Sequence, residues 1–160
     1  MPPKPLVDLD SIDLSKVVAG PDVIRRYNAH RFEMEHLNGI IYLNMAEGIV
    51  VGFKDVRDDE FWVRGHIPGR PLLPGVIMCE AAAQLCSYYF KLATDVKQFL
   101  GFGGMQDVKF RRQVVPGQRL ILVAKNTELR PRRATFDCQG FVDGQMAFEA
   151  TIVGVPMGEQ

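Results

Sequence analysis

The chain has no excess of charge of either sign, no cysteines at ligand spacing and no long uninterrupted apolar run. Each absence narrows what it can be. Lys+Arg and Asp+Glu number 19 each, so the net charge over 160 residues is zero. A dedicated nucleic-acid binder would be basic overall, and no nucleic-acid partner is expected. Cys79, Cys86 and Cys138 show no CxxC pattern, which gives no support to zinc or thiol-redox chemistry. Cys79 and Cys86 lie about two turns apart on one expected helix, roughly 10 Å of rise, too far for a disulfide. Reduced thiols and a cytoplasmic setting are expected. No HExxH or similar spacing supports a metal site. The opening residues MPPKPLVDLDSIDLSK lack the apolar core of a signal peptide. Residues 76–91 are apolar, but Glu80 and Gln84 interrupt them and they are too few to span a bilayer, so no membrane insertion is expected. No internal repeat or low-complexity linker is visible.

What is present is one informative stretch, His66 to Gln84, H-I-P-G-R-P-L-L-P-G-V-I-M-C-E-A-A-A-Q. Pro68, Gly69, Pro71, Pro74 and Gly75 deny its first half both helix and strand. From about Val76 to about Lys91 a helix is expected, apolar almost all round and therefore buried. It carries a carboxylate, Glu80, and an amide, Gln84, four residues on and hence on the same face. His66 precedes Glu80 by fourteen positions. A buried acid, an adjoining amide and a nearby histidine form a candidate acid/base site. His30 and His36 read as surface residues.

Around this stretch the periodicity is that of strands. Residues 1–20 are proline-rich, then acidic, and read as a loosely ordered arm; 21–160 read as one domain. Pro21 suits a first helical turn, with a short helix from Asp22 to about Ala29. Strand-like runs cover Ile40–Leu43, Ile49–Val56 and Glu60–Arg64, then Phe99–Phe110, Leu120–Glu128, Ala134–Val142 and Met146–Val155. Asp143-Gly144 is a two-residue hairpin signal. Gly101-Phe102-Gly103-Gly104 reads as a bulge or close packing, since no helix follows it as a phosphate loop would require. Strands, one long buried helix and more strands give an α+β fold. A curved antiparallel sheet wrapped around that helix, the hot-dog architecture, is one solution among helix-on-sheet folds.

The run His66-Ile67-Pro68-Gly69-Arg70-Pro71, Pro74-Gly75-Val76, Glu80-Ala81 and Ala83-Gln84 closely resembles the signature of the FabZ-type 3-hydroxyacyl-ACP dehydratases. The likeness extends to Gly52–Val56, Phe61–Gly65, Phe110-Arg111-Arg112 with Val114–Gly117, and Val142-Asp143-Gly144, covering roughly residues 40–155. The resemblance implies a hot-dog fold that dimerises through its sheets, often as a trimer of dimers. It implies two active sites per dimer, each taking its histidine from one subunit and its glutamate from the other. It implies reversible loss of water from a 3-hydroxyacyl thioester on acyl carrier protein, with no metal or redox cofactor, the acyl chain arriving on a phosphopantetheine arm. Ile67 stands where the family usually has Phe. His30-Arg31-Phe32 only partly echoes the family's His-Arg-Tyr-Pro, and residues 33–39 depart from its usual apolar stretch.

Dehydration needs a base for the C2 proton, an acid for the C3 hydroxyl and a donor for charge on the thioester oxygen. His66 is the expected base. Glu80 is the expected acid, directly or through a water, since burial favours its protonated form; in some accounts of the family the histidine does both and the glutamate orients it. Gln84 is placed to fix the Glu80 carboxyl. The Gly75 N–H, at the helix N-terminus, is the expected oxyanion donor. Ile67, Pro74 and Val76 are expected in the acyl tunnel wall, and Arg111 or Arg112 at a basic rim that docks the acidic carrier. A hot-dog thioesterase would keep the helix carboxylate without needing His66, and a non-catalytic acyl-binding relative would need neither. Isomerising relatives usually carry Asp at the position of Glu80.

Overall fold

A computed structural model describes residues 3–158. The order is α1 (Pro21–Ile24), β1 (Gly39–Asn44), β2 (Ile49–Asp55), α2 (Gly75–Ala93), β3 (Phe99–Phe110), β4 (Arg119–Arg130), β5 (Arg133–Val142) and β6 (Gln145–Met157). The strands form one antiparallel sheet in the order β1-β2-β4-β5-β6-β3. The sheet packs against α2, which is the α+β hot-dog arrangement.

Period-2 alternation sorts the apolar residues onto two faces. Val50, Leu120, Leu122, Ala124, Phe136, Phe148 and Ile152 join Leu85, Tyr89 and Phe90 of α2 in the main core. Gly52 lets the helix close on the sheet: a Cβ there would lie 3.0 Å from Leu85 Cδ1 and 2.9 Å from the Gly39 carbonyl oxygen. The alternate residues Ile41, Ile49, Val51, Phe53, Ile121, Val123, Phe141 and Met146 form a second cluster on the outer face. The N-terminal arm, expected to be loosely ordered, has one three-residue 3-10 turn (Leu9–Ser11). Its Leu6, Val7, Leu9, Ile12 and Leu14 pack on the outer cluster. Gln139 of β5 ties it there, accepting from Leu6 N–H at 2.8 Å and donating to Lys4 O at 3.1 Å.

Three local expectations change. The short helix is regular only over Pro21–Ile24. The segment Glu60–Arg64 is not a strand but a series of turns, closed by Val63 N–H to Glu60 O and His66 N–H to Trp62 O. The physical cause is Glu60, whose carboxylate is drawn inward to Lys54 at 2.6 Å while Trp62 is buried. His36 is 1% exposed rather than on the surface. The Asp143-Gly144 hairpin has the positive φ values, 50° and 75°, of a type I′ turn. The Gly101–Gly104 run sits at a register shift between Phe102 and Gly104.

Candidate active site

The proline loop and α2 present two groups of polar residues in separate cavities. The first holds His66, whose ring Nδ1 lies 2.8 Å from the Leu72 carbonyl oxygen. A carbonyl only accepts, so Nδ1 carries a proton, and in the neutral ring Nε2 holds the lone pair. The loop is closed by Arg70 N–H to Ile67 O at 2.9 Å and Leu72 N–H to His66 O at 2.9 Å. The cavity, about 490 Å³, is lined by His66, Leu73, Gly75, Val76, Met78 and Phe110, with Arg111 and Arg112 at one side. Gly75 begins α2, where an N–H has no acceptor within the helix. A Cβ on Gly75 would sit 2.7 Å from the Phe110 ring, so glycine is needed for that ring to close the wall. Ile67 and Val76 are exposed, Val76 by 72%. Pro74 caps the helix and accepts from Ile77 N–H at 2.9 Å. Arg111 is held by Glu149 at 2.7 Å, whereas Arg112 is exposed.

The second cavity, about 160 Å³, is lined by Glu80, His30, Ala83, Cys86, Phe99–Phe102 and Ile152–Gly154. The Glu80 side chain is 22% exposed, so it is half-buried rather than enclosed as expected. Gln84 Nε2 donates to Glu80 Oε1 at 3.2 Å and to Met34 O at 2.6 Å. Gln84 Oε1 accepts from His36 N–H at 2.9 Å. His30, expected on the surface, places Nε2 3.5 Å from Glu80 Oε1. Burial pushes the His30 imidazole below its usual range against the opposing pull of Glu80. The structure thus groups Glu80, Gln84 and His30, and separately His66, Gly75 and Val76. No cavity described within one chain contains both His66 and Glu80.

Behind Gln84 lies a buried polar cluster that the sequence reading missed. Lys54 Nζ is 2.6 Å from Glu60 Oε1 and 3.3 Å from His36 Nδ1. Burial alone would raise the Glu60 carboxyl, but hydrogen bonds from Lys54 and Arg57 hold it below its usual range. His36 is lowered to about 4, by burial first and then by the Lys54 charge. The signal available in the sequence was a lone lysine inside the apolar strand Ile49–Asp55, which implies a buried partner. Among the described residues no cluster of His, Cys, Asp and Glu is arranged to hold a metal.

β3 connects the two cavities. It pairs with β6 on one side and forms the sheet edge on the other. Its start, Phe99–Phe102, borders the Glu80 cavity and its end, Phe110, borders the His66 cavity. Phe99, Phe102, Met105 and Phe110 are exposed along it.

Comparison with known proteins agrees with this fold. The FabA-like domain model matches residues 28–151. A 3-hydroxyacyl-[acyl-carrier-protein] dehydratase FabZ of Teredinibacter turnerae is 35% identical over 81% of this chain and 91% of its own length. The protein of the same name from Streptococcus sanguinis is 36% identical over 77% of this chain and 87% of its own. The fold matches the dehydratase heterocomplex ApeI:P from Xenorhabdus doucetiae with a TM-score of 0.72 at 15% identity, covering 85% of this chain and 91% of that one. It also matches a mutant thioesterase PA1618 from Pseudomonas aeruginosa, at a TM-score of 0.59 and 19% identity over 76% and 82% of the two chains. The fold is therefore shared by different chemistries. The chain belongs to the FabA-like family, with the FabZ-type dehydratases among its members.

Proposed function

We infer that this chain is a 3-hydroxyacyl-[acyl-carrier-protein] dehydratase, reversibly removing water from a 3-hydroxyacyl thioester to give the trans-2-enoyl thioester. The observation that carries the reading is His66 on its proline loop, with Nε2 free to act as base, in a chain about one-third identical to FabZ dehydratases over most of its length. In the proposed reaction His66 Nε2 takes the C2 proton, and the Gly75 N–H receives the charge developing on the thioester oxygen. Glu80 then delivers a proton to the C3 hydroxyl as it leaves, directly or through a water. Gln84 orients the Glu80 carboxyl. Ile67, Pro74 and Val76 border the path of the acyl chain, which arrives on the phosphopantetheine arm of acyl carrier protein. Arg112, at the rim of the His66 cavity, meets the acidic carrier. No metal or redox cofactor enters this scheme. A reducing cytoplasmic setting belongs to the same reading, supported by three cysteines that are all free thiols.

The active site in this reading forms between two copies of the chain. Antiparallel pairing of two β3 edges would bring the Phe110 end of one strand against the Phe99–Phe102 end of the other. The His66 cavity of each copy would then face the Glu80 cavity of its neighbour, giving two complete sites per dimer. Six copies as a trimer of dimers would keep those sites.

The test is conversion of 3-hydroxybutyryl-ACP followed by mass spectrometry. Wild type should lose water, and His66→Ala and Glu80→Gln should each lose most activity while remaining folded. Free carrier thiol as product would show a thioesterase instead. Mixing the two inactive variants should restore about a quarter of the activity, because half of randomly paired dimers regain one intact site. No recovery after verified subunit exchange would place both groups of the site in one chain.

A further inference from the structure

We propose that His30 is a positioning residue for Glu80, its Nε2–H closing onto Oε1 beside the Gln84 amide so that the exchangeable proton resides on Oε2. The proposal rests on the reading of Glu80 as the acid of the dehydration.

Gln84 Nε2 and His30 Nε2 approach the same carboxyl oxygen, Oε1, at 3.2 and 3.5 Å. With two N–H groups aimed at Oε1, a proton on the acid of the proposed reaction would sit on Oε2, since one placed on Oε1 would oppose theirs. The acid proton is thereby directed to Oε2. When it passes to the departing hydroxyl, the new carboxylate charge meets two N–H dipoles already in position. At 3.5 Å the imidazole needs only a small adjustment to complete its bond, and catalytic hydrogen bonds commonly tighten when substrate binds.

The tautomer follows from the other ring nitrogen. His30 Nδ1 is buried without a partner. An orphaned buried N–H is rarer than an under-satisfied acceptor, so Nδ1 is the bare nitrogen and Nε2 carries the hydrogen. Glu80 on α2, Arg31 beside it in the loop, Glu35 and His36 are the charged or titratable groups around the ring. Burial and Arg31 disfavour its cation, while Glu80 and Glu35 favour it, and the balance keeps it a neutral donor at pH 7.

The surrounding loop holds His30 in place through its backbone. Arg31 Nη1 donates to the His30 and Asn28 carbonyls at 2.7 and 2.8 Å, and Arg31 Nη2 donates to Arg25 O at 3.1 Å. Asn28 Nδ2 anchors the loop to α2 through Gln84 O at 2.9 Å. The loop is thus fastened to the helix turn that carries the carboxylate's other donor.

The experiment compares wild type, His30→Leu and His30→Gln in carrier-bound dehydration across pH, with Glu80→Gln alongside. Loss of the donor in His30→Leu should lower kcat about tenfold and change KM by less than about twofold. His30→Gln, which restores a neutral N–H at similar reach, should recover most of kcat. An unchanged kcat in His30→Leu, or equal losses in both variants, would overturn the proposal. If His30→Leu does not fold, nitrogen NMR of the wild-type ring decides it: the Nε2–H tautomer is expected at pH 7, and an Nδ1–H tautomer or a cation overturns it. Full activity in Glu80→Gln would refute the acid assignment itself, separately from the tautomer.

Discussion

His36 should make this protein lose stability in acid well before its carboxylates would. The ring is 1% exposed, and its Nδ1 accepts from Lys54 Nζ at 3.3 Å. Protonation would bury a second cation next to Lys54, and Glu60 already serves the first. The folded-state value of His36 is accordingly lowered from 6.5 to about 4. As pH falls through 6.5 the unfolded chain takes up this proton while the folded chain refuses it until about 4. The unfolded state binds more protons throughout that window, so stability rises with pH there. The contribution is fully present above 6.5 and lost as pH falls to about 4. The shift corresponds to about 3 kcal/mol. His36→Asn offers Lys54 a short acceptor that does not titrate. Urea unfolding of both proteins at fixed protein concentration, from pH 7 to 4, should show their stability difference shrinking by about 3 kcal/mol. Parallel stability curves would refute the linkage, and with it the assignment of His36 as the neutral acceptor of a buried lysine.

Three further outcomes follow from named contacts. Lys54→Met strands the Glu60 carboxylate, whose side chain is 6% exposed, and should cost about 3–5 kcal/mol in urea unfolding; adding Glu60→Gln should recover part of that loss. Gly75→Ala drives a Cβ to 2.7 Å from the Phe110 ring, and should lower stability by about 1–3 kcal/mol and dehydration by more than about tenfold, read by thermal unfolding and by enoyl product. Arg112→Glu should raise KM for a carrier-bound substrate about tenfold more than for the same acyl group on free pantetheine; equal effects on the two would remove Arg112 from carrier docking.

Much of the fold was legible because its strands alternate. The runs 49–56, 99–110 and 134–142 match their strands within about a residue, and Asp143-Gly144 turns where the left-handed backbone preference of a type I′ turn places it. The failures share a cause. Glu60–Arg64 has apolar residues at Phe61, Trp62 and Val63, as a strand would, yet the Lys54–Glu60 ion pair overrides that pattern with turns. His30 and His36 stand in a polar, irregular segment, where sequence offers no period from which to infer burial. Their environments come from long-range contacts: Asn28 to Gln84, Met34 to Gln84, and His36 to Lys54. His66, Glu80, Gly75 and Gln84 could be singled out because a rigid loop and one helix carry all four. His30, 3.5 Å from Glu80, lies fifty residues earlier and could not be found by spacing.

The same distinction applies to the free edge of the sheet. A twelve-residue edge strand bearing exposed Phe99, Phe102, Met105 and Phe110 carries neither proline nor a run of lysines to block pairing. Its two register shifts, between Phe102 and Gly104 and between Gln106 and Lys109, bend the strand without ending it, and pairing to β6 continues on both sides of each. Such an edge invites a partner strand, and the two half-furnished cavities along it give a chemical reason for one. One chain alone presents His66 in one cavity and Glu80 in the other. In the proposed dimer, pairing two β3 strands head to tail would satisfy the exposed backbone, cover the aromatic rings and join the proposed base to the proposed acid in a single step. The mixed-variant experiment probes this directly, because activity shared between a chain lacking His66 and a chain lacking Glu80 can arise only where the two copies meet.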